Sequence, residues 1–173
     1  PQIFLDSELQ VSNGTPQPVT NNKLLQRYAV PAFADIRGAF NVVGNTINIT
    51  ADFMTYFNVE NIKAYVSVNE KTTTKNTGSN GETEFHHVLM KLLGSPSGIT
   101  LNLEAGKYKR LEYSYDMNNT NMEELNDLEV AIWIQSYSTK EIYNSRFAYE
   151  YTEHVYPAQN LNIETISSNE VTK

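Results

Sequence analysis

From Ala34 to Tyr149 apolar and polar residues alternate with a period of two, the spacing of strands that bury one face. Ile36, Gly38, Phe40 and Val42 alternate with Arg37, Ala39 and Asn41; after the turn signal Val43-Gly44-Asn45, the residues Ile47, Ile49, Ala51 and Phe53 continue the period. That pair predicts a hairpin. A third strand places Ile62, Ala64, Val66 and Val68 inward and Lys63, Tyr65 and Ser67 outward. Asn69 to Thr83 is polar and reads as a long mobile loop. Glu84 to Leu93 fits helical and strand spacing alike, and its strand-like neighbours favour a strand.

Beyond the turn Ser95-Pro96-Ser97-Gly98, the period returns at Ile99, Leu101 and Leu103, and again at Leu111, Tyr113 and Tyr115 after the turn Ala105-Gly106. Asp116 to Asp127 reads as a second long polar loop. The cleanest alternation follows: Leu128, Val130, Ile132 and Ile134 point in, while Glu129, Ala131, Trp133 and Gln135 point out. Ser136-Tyr137-Ser138 turns the chain, and Tyr143, Ser145, Phe147 and Tyr149 form one face of a last strand.

About eight short strands separated by turns predict a mostly β fold, an antiparallel immunoglobulin-like or jelly-roll-like β-sandwich over residues 34–156. Residues 1–33 differ. Pro1 to Asp6 reads as a short buried strand, Val11 to Thr20 as a loop, and Asn22 to Ala29 as a short helix with an Asn near its start as cap, ended by Pro31. Residues 157–173 read as a polar, loosely held tail.

Composition narrows the functional classes. The chain has 173 residues, a net charge of −7 and no cysteine. Excess negative charge repels phosphate backbones and anionic lipid, so nucleic acid is not an expected partner. The lack of cysteine removes disulfides, thiol catalysis and thiolate metal sites from this stretch. No apolar run is long enough to span a membrane. The chain opens on Pro1 rather than Met and is read as a piece of a longer protein.

Candidate chemistry is sparse. His86 and His87 are adjacent, so on a strand they point to opposite faces and cannot hold one metal together; His154 lies far along the chain. Asp116, Asn118, Asn121 and Asp127 resemble the start of a calcium loop, but Asn121 replaces its turn glycine and Asp127 its bidentate glutamate. Neither a nucleophile elbow nor a phosphate-binding loop occurs, and no pair of carboxylates is singled out. Asn13, Asn48 and Asn118 each begin a glycosylation acceptor triplet, a match that arises by chance in a chain this rich in Asn and Thr. No catalytic residue, cofactor or metal is therefore predicted, and the expectation is a non-enzyme. Tyr65 and Trp133 stand out as aromatics on outward faces. They are candidates for a binding surface, against the plainer reading that another segment covers them.

One further signal lies in the order of segments. Phe85-His86-His87-Val88-Leu89-Met90-Lys91-Leu92-Leu93 precedes Gly98-Ile99-Thr100-Leu101; then come Leu128-Glu129-Val130-Ala131-Ile132-Trp133-Ile134-Gln135 and Ser138-Thr139-Lys140-Glu141-Ile142-Tyr143-Asn144-Ser145. This order resembles the C-terminal β domain of the Bacteroidetes (Porphyromonas-type) twenty-eight-kilodalton outer-membrane lipoproteins, over residues 34–149. The resemblance implies export, a lipid anchor outside this stretch, display on the outer membrane and an adhesin or receptor role towards a protein or glycan on host or neighbouring cells. It also implies a thioredoxin-like half upstream, of which residues 1–33 would be the end. Two alternatives stay open: a structural accessory to a redox half, and a carbohydrate-binding module.

Overall fold

The computed structural model describes residues 2–5, 9–13, 20–151 and 164–167. Strand β1 (Gln2–Leu5) pairs antiparallel with β2 (Leu9–Asn13), so Val11 to Asn13, expected in a loop, belong to a strand. Helix α1 (Asn21–Tyr28) follows. Its cap is Thr20, whose hydroxyl oxygen accepts from the Lys23 N–H at 3.5 Å, rather than an asparagine. No residue of α1 is buried, and Arg27 ties it to Glu141 by an ion pair at 3.5 Å.

Nine strands then run from Ala34 to Glu150. They are β3 (Ala34–Val43), β4 (Thr46–Thr55), β5 (Val59–Thr73), β6 (Phe85–Leu93), β7 (Ile99–Leu103), β8 (Lys109–Asp116), β9 (Leu128–Ser136), β10 (Ile142–Phe147) and β11 (Tyr149–Glu150). One sheet has the order β10-β9-β5-β6, with β7 also paired to β5. The other runs β11-β3-β4-β8-β12, where β12 (Glu164–Ser167) lies within the stretch read as a polar tail and pairs in parallel with β8. The molecule is a mostly β sandwich, as the alternation predicted.

The core lies between the sheets. Ile47, Ile49, Ala51 and Phe53 of β4 face Val66, Val68, Val130, Ile132 and Ile134 of the opposite sheet, all buried. Removing such a side chain from water contributes about 1.5–3 kcal/mol each. Strand β9 alternates buried and half-buried residues without a break, as the sequence predicted. The β3–β4 turn has Gly44 as the first of two loop residues with φ +59, a conformation that matches the twist of the flanking strands. Gly38 is required by contact: a Cβ there would lie 2.2 Å from Ile132 Cδ1.

Strand β5 is longer than its apolar pattern, because residues 69–73, expected in a loop, remain in the sheet. The inward residue there is Glu70, fully buried. Its carboxylate accepts backbone N–H bonds from Glu123 and Glu124 at 2.6–3.0 Å, so the desolvation cost is met by the following polar loop. That loop is anchored in return. Met117 is fully buried, Asp127 accepts from the Thr72 N–H at 2.8 Å, and Glu123 accepts from the N–H groups of Thr74 and Lys75.

The last predicted strand is split between the sheets. Strand β10 carries a bulge between Ile142 and Asn144 and pairs with β9. The chain crosses at Ala148, whose N–H still donates to Val130 O at 2.8 Å, and Tyr149 and Glu150 join β3 in parallel. Beside this crossing the Asn144 side-chain amide donates to Ala34 O, and the Arg146 guanidinium donates to Ile36 O. Side chains rather than a backbone ladder close this edge of the sandwich.

Candidate functional site

Strand β5 is central in its sheet, and its outward residues meet those of β9 in register: Lys63 opposes Gln135, and Tyr65 opposes Trp133. Both aromatics are half-buried. Their rings stack with centroids 4.9 Å apart and planes within 7°. That centroid distance matches the spacing of neighbouring strands, so the rings stand upright side by side on the sheet. Each ring therefore has one flank occupied by the other.

The second flank of Tyr65 is also occupied. Its ring lies against the turn after β6, where a Cβ on Gly98 would come within 2.7 Å of it, and its hydroxyl donates to Ser97 O at 3.2 Å. Gly98 also has φ +75. The second flank of Trp133 faces β10, where the opposing residue is the small, exposed Ser145. Phe147 on β10 and Tyr137 after β9 extend the apolar surface; both are exposed. Lys63 Nζ lies 5.3 Å over the Tyr137 ring and donates to Thr100 Oγ1 at 2.7 Å. Asn61, Lys63, Thr100 and Tyr137 line a shallow cavity of about 370 Å3.

The outward face of the other sheet is organised by charge. Arg110 makes a bidentate pair with the buried Asp52, at 2.7 and 2.8 Å. Asp35 accepts from the Tyr108 hydroxyl at 2.5 Å and from Arg37 Nε at 3.0 Å, and the Arg37 guanidinium lies 4.7 Å over the Tyr108 ring. Burial pushes the Asp35 carboxyl up, but the hydrogen bonds from Tyr108 and Arg37 outweigh it and hold the group below its ordinary value. Burial, then the Asp35 hydrogen bond, push the Tyr108 phenol up to about 12. These residues are 73 positions apart, and no local motif announces them.

The remaining candidates disperse. His86 pairs with Glu84 at 3.0 Å, while His87, at φ +54, meets Glu129 at 2.6 Å. His154 lies outside the described residues. Of the loop that resembled a calcium site, Asp116 accepts from the Asn118 N–H, Asn118 Oδ1 from the Asn45 amide, and Asp127 from the Thr72 N–H. Those oxygens are directed at protein donors, and among the described residues no three metal-ligating side chains converge.

The sandwich with its crossing last strand invites comparison with solved structures. The fold is similar to that of HBP35 of Porphyromonas gingivalis. The TM-score is 0.60 at 14% identity, over 80% of this chain and 50% of the HBP35 chain. This chain thus spans about half the length of that one. At this identity the likeness shows the fold. A β-glucosidase from Listeria innocua and one from Kluyveromyces marxianus each align with a TM-score of 0.33, at 9% and 13% identity; they share 70% and 66% of this chain but only 16% and 14% of their own. No family model and no curated protein matches the sequence.

Proposed function

We propose that this domain is a non-catalytic binding module of the adhesin or receptor type, displayed on the outer membrane of its cell by a lipid anchor elsewhere in the protein. The observation that carries the reading is the upright Trp133–Tyr65 stack on the outward face of the β10-β9-β5-β6 sheet, with the far flank of Trp133 looking over Ser145. A ring fixed by a stacked neighbour and a strand presents apolar area at little entropic cost, the property of an anchor residue in a binding surface. Tyr65 supports Trp133 and is itself held by the turn at Gly98.

The test is binding of the purified domain to arrayed extracellular-matrix proteins and glycans. Trp133→Ala should abolish the wild-type signal, and Tyr65→Ala should weaken it by loosening the stack. Unchanged binding in both would rule out this surface.

A second reading, a structural accessory to an upstream thioredoxin-like redox half, draws on α1 and the segment after it. Leu25 is 63% exposed and Tyr28 88%, and Leu24, Val30 and Phe33 are exposed beside them. Such a patch suits cover by another domain. It predicts protection of residues 24–33 from hydrogen exchange or labelling when the upstream half is present, and equal labelling with and without that half would count against it.

A further inference from the structure

We propose that the cleft where the chain crosses between the sheets is a binding subsite for the carboxylate of an acidic saccharide, with Arg37 and Arg146 as the anion-binding pair and Phe147 and Tyr149 as the sugar-stacking rims. The proposal rests on the binding-module reading but concerns a separate cleft, which shares only Phe147 with the aromatic surface.

The crossing at Ala148 brings the end of β10, the start of β11 and the middle of β3 around a cavity of about 470 Å3, lined by Arg37, Gly38, Arg146, Phe147, Ala148 and Tyr149. The chain has four arginines and a net charge of −7, so two of its four guanidinium groups bordering one cleft is a strong local departure from the average. Among the described residues no acidic side chain lines the cavity. Arg37 holds Asp35 through Nε and lies over the Tyr108 ring, and among the described residues its two terminal nitrogens make no hydrogen bond. Arg146 touches one neutral group, Ile36 O, at 3.3 Å, and has no carboxylate partner at ion-pair distance among the described residues. The nearby carboxylates are engaged: Asp52 by Arg110, and Asp35 by Tyr108 and Arg37, with Arg146 acting on Asp35 only at longer range. Guanidinium donors in this state suit a planar carboxylate.

Three observations select the ligand class. Phe147 and Tyr149 are 57% and 70% exposed; the Phe147 ring has the His87 ring stacked 6.2 Å away, and exposed rings beside a charged pocket stack on the apolar faces of pyranose rings. The overall negative charge disfavours a dense polyanion, so a sparse carboxylate, one uronic acid in a mostly neutral chain, is the better match. A peptide would bind such an edge by adding a strand, but the carbonyls of Ala34 and Ile36 are already taken by Asn144 and Arg146.

Calorimetric titration of the whole 173-residue chain with three probes tests this: a glucuronate-terminated tetrasaccharide, the matching neutral glucose tetrasaccharide, and tetraglutamate. The acidic sugar should bind about ten-fold more tightly than the neutral one, and added salt should erode the difference. Arg146→Gln, and Arg37→Gln with Arg146→Gln, should bring the two sugars to similar affinity, with folding checked by circular dichroism. Arg146→Gln alone spares the Asp35 contact, so an unstable double variant leaves the test intact. Tyr149→Ala should weaken both sugars. Equal affinity of wild type for both sugars, discrimination that survives the arginine variants, tetraglutamate binding as tight as the acidic sugar, or no binding of the acidic sugar at millimolar concentration would each overturn the proposal. A target lost in Trp133→Ala but kept in Arg146→Gln would leave the binding module standing without this subsite.

Discussion

The two outward faces of the sandwich solve the same problem in opposite ways. On the β3-β4-β8 face, Asp52 is matched by Arg110, and Asp35 by Tyr108 and Arg37, so the polar groups of its centre satisfy one another. On the β9-β5 face the centre is a pair of stacked rings, with Trp133 opposed on the edge strand by a serine. The first face uses its chemistry to cover itself. The second holds part of its chemistry in reserve for contact. Exposure alone does not separate them, since Trp133 and Tyr65 are both half-buried. What separates them is whether the groups at the centre already have partners: the carboxylates of Asp52 and Asp35 do, and the far flank of Trp133 faces a small exposed serine.

That difference can be broken from either side. Asp52→Ala should have the largest effect on stability, about 3 kcal/mol lost in urea unfolding, because Arg110 is left with an unmatched, largely buried charge. It should leave target binding at the aromatic face unchanged, and a parallel loss of binding by a still-folded variant would mean the two faces are coupled. Gly98→Ala should come next, at about 2 kcal/mol, since the position has φ +75 and the new methyl would press on the Tyr65 ring. Its fluorescence spectrum should shift as Trp133, the one tryptophan, loses a fixed neighbour.

Smaller changes refine the picture. Tyr65→Phe removes the hydrogen bond to Ser97 and keeps the stack, so about 1 kcal/mol of stability should be lost with binding intact. If binding falls with it, the Tyr65 hydroxyl contacts the ligand directly. Asp35→Asn should show mainly as a change of slope. The folded Asp35 carboxyl lies below its ordinary value, so its contribution is complete above the ordinary carboxylate range and is lost as pH falls through the lower folded value. Thermal unfolding followed down to about pH 2 should therefore be less acid-sensitive in the variant than in wild type. Equal acid sensitivity would show that the Tyr108–Arg37 contacts do not stabilise the ionised form.

Much of the fold was legible because one physical rule, a buried inner face, wrote itself into a period of two. Leu128 to Gln135 is the clearest case, and the outward placement of Trp133 and Tyr65 followed from the same count. The rule fails where a polar residue faces in. Glu70 disguised the end of β5 as loop, because the donors that make its burial tolerable come from Glu123 and Glu124, more than fifty residues later. It fails again at Ala148, where the alternation Tyr143, Ser145, Phe147, Tyr149 continues through a change of sheet. The cleft with Arg37 and Arg146 exists only because of that change. A local pattern holds no record of it, since the two arginines lie on strands joined by the crossing rather than by sequence. The single usable hint was compositional: arginine is scarce here.

The parallel pairing of β11 with β3 has a mechanical consequence. The first strand of the sandwich and the strand that follows the crossing lie side by side and point the same way, with Tyr149 beside Ala39, Glu150 beside Phe40 and a bond from the Tyr151 N–H to Phe40 O at 2.9 Å. Tension applied between Ala34 and Glu150 would slide these strands along each other, loading their bonds and the Asn144 and Arg146 tethers together instead of one at a time. A pair wired in this way resists being peeled apart at the place where the chain changes sheet.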